Sequence, residues 1–295
     1  MNRGDRREPI FKVDTDRELF VATLGECCGK TGWEVHAYCL MPNHFHLVVE
    51  TPRGNLVAGM KWFLGTYTAR FNRRHKLVGH LFSGRYKALA VDGSGSGYLK
   101  TVCDYVHLNP ARAKLVKADQ ALSVFVWSSY TQYLKPPSKR PAWLRVGRVL
   151  GEHGVAKDSA AGRRQFAARM EHRRAAEDGK EYRKIRRGWC YGDKAFRQEL
   201  LEQMAGQAGE HHYAEDRHES DEQKARHILA MELKRLRWTP EELVRRRKTD
   251  SGKVRAAMRL REETTMTLKW VAKELHMGAW THVSNLLSRE RKRRR

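Results

Sequence analysis

No apolar run in this 295-residue sequence approaches the roughly 20 residues needed to span a bilayer, which excludes an ordinary transmembrane helix. The opening stretch, Met1 to Arg7, has no apolar core of the kind a secretory signal carries, so a cytoplasmic protein is expected. Cysteine is sparse and scattered: Cys27, Cys28, Cys39, Cys103 and Cys190 form no Cys-x-x-Cys pair and no disulfide framework, and read as free thiols. Acidic residues are few, 34 Asp and Glu against 58 Lys and Arg, a net charge of +24. Such a charge repels itself unless a polyanion is present. Nucleic acid is the commonest such partner, which would make the protein nucleoid-associated, and anionic membrane is the rival. Hydrophobic residues at 40% allow a core, while a mean hydropathy of −0.73 leaves much polar surface.

Along the chain, apolar residues at Leu19, Phe20, Leu24 and Cys27 predict a helix over 16–28 that Gly29 stops. The stretch 25–31 is one residue short of a phosphate-binding P-loop and follows a helix, so Gly29 reads as a stop and not as a phosphate cradle. Strands are expected at 34–38 and 44–50 with a turn over 40–43, a long amphipathic helix at 56–75, and a strand at 81–91. A Gly-Ser loop at 93–97 precedes a helix from Tyr98 that Pro110 closes. Trp127, Tyr130 and Tyr133 are expected to pack back on this part. Lys135-Pro136-Pro137-Ser138 reads as a linker, followed by charged helices and a polar loop at 206–220. The division is therefore 1–135 as a first domain, 136–235 as linker and charged helices, and 236–295 as a basic C-terminal region.

Two stretches carry chemistry. His44 and His46 stand two apart on an apolar strand and so share a face, which makes half of a metal site. Tyr105 and Asn109 stand four apart on one helical face, and the Asn109 amide oxygen suits Mg²⁺ or Mn²⁺ as a further ligand. Zinc is the rival ion, but an amide oxygen favours a harder cation. A zinc hydrolase would want a carboxylate base, for which Glu50 is the nearby candidate, as it is for a residue supporting the metal ligands.

The sequence from Met41 to Glu50 resembles the His-hydrophobic-His box of the single-tyrosine transposases, and Tyr105 to Ala113 resembles the nucleophile helix of their REP-associated branch. Gly84-Arg85-Tyr86-Lys87-Ala88 is similar to what that family places on an intervening strand. The resemblance covers about residues 1–135. It implies an α+β fold, with a ferredoxin-like antiparallel sheet and helices on one face. It also implies a divalent cation on His44, His46 and Asn109, with Tyr105 as nucleophile. The activity implied is cleavage and rejoining of single-stranded or hairpin DNA through a 5′-phosphotyrosine, on repeated extragenic palindromes, by a monomer or homodimer. Relatives begin with a strand ahead of an Arg-Gly pair; here Arg3-Gly4 stands almost at the start, so the first strand is expected to be missing. A DNA-binding protein with impaired catalysis is the alternative that this absence raises.

The C-terminal region has helix-turn-helix spacing: an apolar face at Leu268, Val271, Ala272 and Leu275, a turn at 276–278, and a second helix. Trp280, Thr281, His282, Asn285 and Arg289 on or near that helix are candidate DNA contacts, within a region holding 17 Lys and Arg against 7 Asp and Glu. Arg73, Arg74, Arg85 and Lys87 are candidate contacts to the DNA backbone, while His75, His80 and His107 read as structural or phosphate-contacting.

Overall fold

The computed structural model describes residues 1–177, 182–206 and 215–293. It is an α+β chain of two compact units. The first comprises Met1–Cys28, Trp33–Glu50 and Phe63–Gly209, the second Gly29–Gly32, Thr51–Trp62 and Glu210–Arg295. Among the described residues no helix is long and apolar enough to cross a membrane.

In the first unit the sheet consists of β1 (Asn2–Arg3), β2 (Glu34–Met41) and β3 (His44–Glu50), in the antiparallel order β1-β3-β2. The missing-strand expectation is corrected here: two residues do occupy that place, with Asn2 opposite Phe45 and Arg3 opposite His44. β2 runs three residues beyond its expected end, so only Pro42 and Asn43 form the turn. In the β2–β3 hairpin Cys39 faces His46 and Met41 faces His44, after an irregularity between Val35 and Ala37.

α1 (Asp14–Thr31) does not stop at Gly29; it ends at Gly32, whose φ of +74° is the left-handed conformation a helix terminus favours. α2 (Leu56–His75) has the expected bounds. Phe20 from α1 and Phe63 from α2 meet Phe45 of β3 at centroid distances of 4.9 and 6.2 Å, and Phe20 also meets Tyr67 at 4.9 Å. One face of the sheet is thus covered by an aromatic core. Residues 81–87 follow β1 through backbone hydrogen bonds from Ser83 to Arg3 and from Lys87 to Met1, with a single bridge between Gly4 and Phe82. The expected strand over 81–91 is therefore not continuous; only β4 (Ala90–Val91) is a strand, and it pairs in parallel with β5 (Cys190–Tyr191).

The opposite sheet face receives α3 (Tyr98–His107), so helices expected on one face of the sheet lie on both. The helical path does not close at Pro110: Leu108 stays helical, and α4 (Asn109–Arg112) begins with the proline in its first turn, where a missing N–H costs nothing. Tyr133, in α5 (Tyr130–Tyr133), is buried and donates to the His36 carbonyl at 2.6 Å. The stretch expected as a linker is tied into this unit, since Arg140 donates to the Gln132 and Tyr133 carbonyls and pairs with Asp158. α6 (Gly147–Glu152), α7 (Ala160–Ala175), α8 (Arg183–Arg187) and α9 (Lys194–Gly206) follow. Phe166 of α7 stacks on Tyr133 at 5.2 Å.

The second unit is built from α10 (Glu215–Leu236), α11 (Pro240–Arg245), α12 (Ser251–Glu263), α13 (Leu268–Glu274) and α14 (Trp280–Arg293). Of the polar stretch expected as a loop, 215–220 belong to α10, and 207–214 lie outside the described residues, as do 294–295 of the basic tail. Val271, Ala272, Leu275, Met277, Val283 and Leu287 share one core with residues of α10–α12, and Leu268 packs against it. His276 and Gly278 take positive φ in the turn between α13 and α14. Buried Lys253 of α12 donates to the carbonyls of Arg246 and His276, holding that turn.

Because Phe45 is fully buried and flanked on both sides by His44 and His46, its packing sets their strand in place. Phe45→Ala is expected to cost about 3–5 kcal/mol, read as a fall in the urea midpoint of the sheet-containing unit.

Candidate active site

Strand alternation places His44 and His46 on the face opposite the Phe45 core, with ring centroids 5.2 Å apart and planes at 79°. His44 is oriented in two steps. Asn43 Nδ2 donates to the Arg7 carbonyl at 3.0 Å, which fixes the amide, and Asn43 Oδ1 lies 2.8 Å from His44 Nδ1. An oxygen there holds the imidazole proton on Nδ1 and leaves the Nε2 lone pair free to bind a ligand. The His46 ring makes no hydrogen bond among the described residues.

Burial pushes the His44 imidazole down to about 4, helped by the charges of Arg3 and the α-amino group. Burial likewise pushes His46 down to about 3, with His44, the α-amino group, Arg112 and Arg3 adding to it. Both rings are therefore neutral at neutral pH, the form that binds a metal.

Tyr105, on the α3 surface that meets the sheet, sets its ring 5.6 Å from that of His46 at 84°. The Arg112 guanidinium lies over the Tyr105 ring, 4.3 Å from its centroid. Asn109 follows one turn later, is buried, and its side-chain amide has no hydrogen-bond partner among the described residues. The His pair and the Tyr105 helix, far apart in sequence, are thus neighbours in space. Residues 1–109 match the family model of the IS200-like transposases. The match supports the transposase family for this part of the chain, and it takes in His44, His46, Tyr105 and Asn109. No curated protein and no solved structure matches the chain.

Other candidates fall elsewhere. Glu50 is at the far end of β3, where Oε2 lies 3.2 Å from His36 Nε2 and 3.7 Å from Arg148, so it neither supports the His pair nor serves it as a base. His75 bonds the buried Asp16 carboxylate at 2.9 Å, and His107 is buried with Nε2 2.9 Å from the Ser129 hydroxyl, which makes both structural; His80 is exposed. Arg73, Arg85 and Lys87 are exposed, and exposed Arg74 lies 3.5 Å from Asp16. On α14, Thr281, Asn285 and Arg289 are exposed at helical spacing, Trp280 is half exposed, and His282 is turned partly inward. Sequence reasoning gave no role to Asn43 or Arg112, although both stand inside the motifs it used; Tyr182 had no local signal at all.

The depressed histidines tie stability to pH. Each binds a proton more readily in the unfolded chain, near 6.5, than in the fold, so stability is intact above about 6.5 and declines as pH falls toward 4. Urea midpoints measured without divalent cation are expected to fall across that window, and less steeply in a His44→Gln, His46→Gln double variant.

Proposed function

We propose that the chain is a divalent-metal-dependent, single-tyrosine DNA transposase of the REP-associated type, built on a ferredoxin-like sheet. The observation that carries this reading is the approach of the Tyr105 ring to His46, within a segment matching the IS200-like transposases. The residues fit a hard divalent ion such as Mg²⁺ or Mn²⁺: two neutral imidazoles, one pre-oriented through Asn43, and an amide without a hydrogen-bond partner among the described residues. His44, His46 and the Asn109 amide oxygen would hold such an ion, leaving its other positions to substrate phosphate and water. A bound cation supplies neutralisation of the negative charge at the scissile phosphate.

The protein's own part is then to deliver the nucleophile. The Tyr105 hydroxyl oxygen attacks the phosphorus as the bond from phosphorus to the 3′ oxygen breaks. The phenol gives up its proton and the leaving oxygen ends as a 3′-OH, while the 5′ phosphate stays on Tyr105. Attack by a 3′-OH on that ester reverses the step, so one bond is exchanged for another and no nucleotide triphosphate is consumed. The DNA partner is single-stranded or hairpin DNA of repeated extragenic palindromes. α13 and α14 act as a helix-turn-helix, with Trp280, Thr281, Asn285 and Arg289 facing the duplex.

A second reading, a DNA-binding protein without catalysis, draws on the basic C-terminal helices, where Thr281, Asn285 and Arg289 are exposed at helical spacing. End-labelled hairpin oligonucleotides incubated with protein and Mn²⁺ separate the two. The transposase reading expects a covalent adduct that disappears in Tyr105→Phe and without metal, with binding retained in both. Binding with no adduct in the folded wild-type chain would leave the second reading. For α14, Arg289→Ala is expected to reduce the slope of log affinity against log salt by about 1, read from titrations of labelled duplex at several salt concentrations.

A further inference from the structure

Arg112 is outside the proposed ligand set, yet its side chain is fixed at several points around Tyr105. Its guanidinium is 4.3 Å from the Tyr105 ring centroid and 4.9 Å from that of Tyr182, and the two phenol rings are 5.3 Å apart at 57°. Nη2 donates back to the Tyr105 carbonyl at 3.0 Å, and Nε donates to Glu177 Oε1 at 2.9 Å. Arg112 is the last residue of α4, and its side chain reaches back seven residues to the Tyr105 carbonyl. Tyr182 is fully buried, while Tyr105 is only partly so. Arg112, Glu177 and Tyr182 all lie beyond the residues matched by the transposase family model.

We propose that Arg112, held by Glu177 and backed by Tyr182, is a positioning residue that fixes the Tyr105 ring in the rotamer facing the His pair. The inference rests on the reading of Tyr105 as the nucleophile. A tyrosine has two soft torsions, and a misplacement of about 1 Å at a reacting atom can cost roughly a hundredfold in rate. A cation over the ring face restrains those torsions without touching the hydroxyl, which stays available to substrate. Only a planar fork can stack on two rings while donating at its edge to a carbonyl and a carboxylate; a lysine keeps the charge but loses the fork. The ring also meets His46 at 5.6 Å and 84°, so losing the Arg112 contact removes one of the restraints that keep it beside the His pair.

The test is single-turnover formation of the covalent adduct on a labelled hairpin, with saturating full-length protein and Mn²⁺. Hairpin affinity and thermal unfolding are measured alongside. Arg112→Gln is expected to slow adduct formation about tenfold at saturating DNA, with hairpin affinity kept. Arg112→Lys should recover part of the loss, and Tyr182→Leu should slow the reaction in the same direction. Wild-type rates in folded Arg112→Gln and Tyr182→Leu would overturn the inference. So would a loss that appears wholly in affinity, since that would make Arg112 a DNA contact. If Arg112→Gln does not fold, Tyr182→Leu decides between the same outcomes. Absence of an adduct from the wild-type protein would instead sink the reading of Tyr105, and the positioning role with it.

Discussion

The two-residue alternation of β3 is the constraint on which the site depends. Phe45 must point into the aromatic core of Phe20, Phe63 and Tyr67, and once it does, His44 and His46 have no choice but the other face. A register slip of one residue would bury both imidazoles among aromatic rings and expose Phe45. The two-residue turn at Pro42-Asn43 guards against that slip, because Asn43 is also anchored to the Arg7 carbonyl. Core packing and the placement of the His pair are therefore one decision, made by the hairpin.

The second consequence is electrostatic. The site is pressed between the sheet and α3, and burial there keeps both imidazoles uncharged in a chain with a net charge of +24. Nearby positive charge from Arg3 and Arg112 works in the same direction. The excess charge is displayed elsewhere, on exposed Arg73, Arg85 and Lys87 and along α14. Surface cations can attract a polyanion over a Debye length of about 8–10 Å, whereas a ligand set needs lone pairs, not positive charge. The fold separates these two demands.

Much of this was legible in the sequence. The bounds of β3 and α2 follow from hydrophobic periodicity, and the His pair and the Tyr105-Asn109 spacing follow from strand and helix geometry. What was not legible has physical reasons. Gly29 was read as a stop because glycine is a poor helix former, yet its cost of about 1 kcal/mol is small beside the burial of Cys28 and Thr31 around it. Residues 81–91 have strand-forming side chains, but pairing needs a neighbour, and β1 offers only two residues. The Pro136-Pro137 pair suggested a linker, while Arg140, a residue with no local signature, ties that segment to α5 and Asp158. Non-local partners decide such cases, and one sequence does not display them.

The same argument explains why the surroundings of Tyr105 were the hardest part to read. A tyrosine on an amphipathic helix is by default a core residue, and nothing local to 105 says which way the ring turns. That is settled by three groups the chain delivers from different places: His46 from the hairpin, Arg112 from the turn after α3, and Tyr182 from beyond α7. Each of the three contacts the ring, and the hydroxyl has no hydrogen-bond partner among the described residues. A residue destined only for packing would have its polar tip satisfied or wetted at random. Here three groups meet the apolar body, His46 among them, and the polar tip has no hydrogen-bond partner among the described residues, which is what the proposed nucleophile would need.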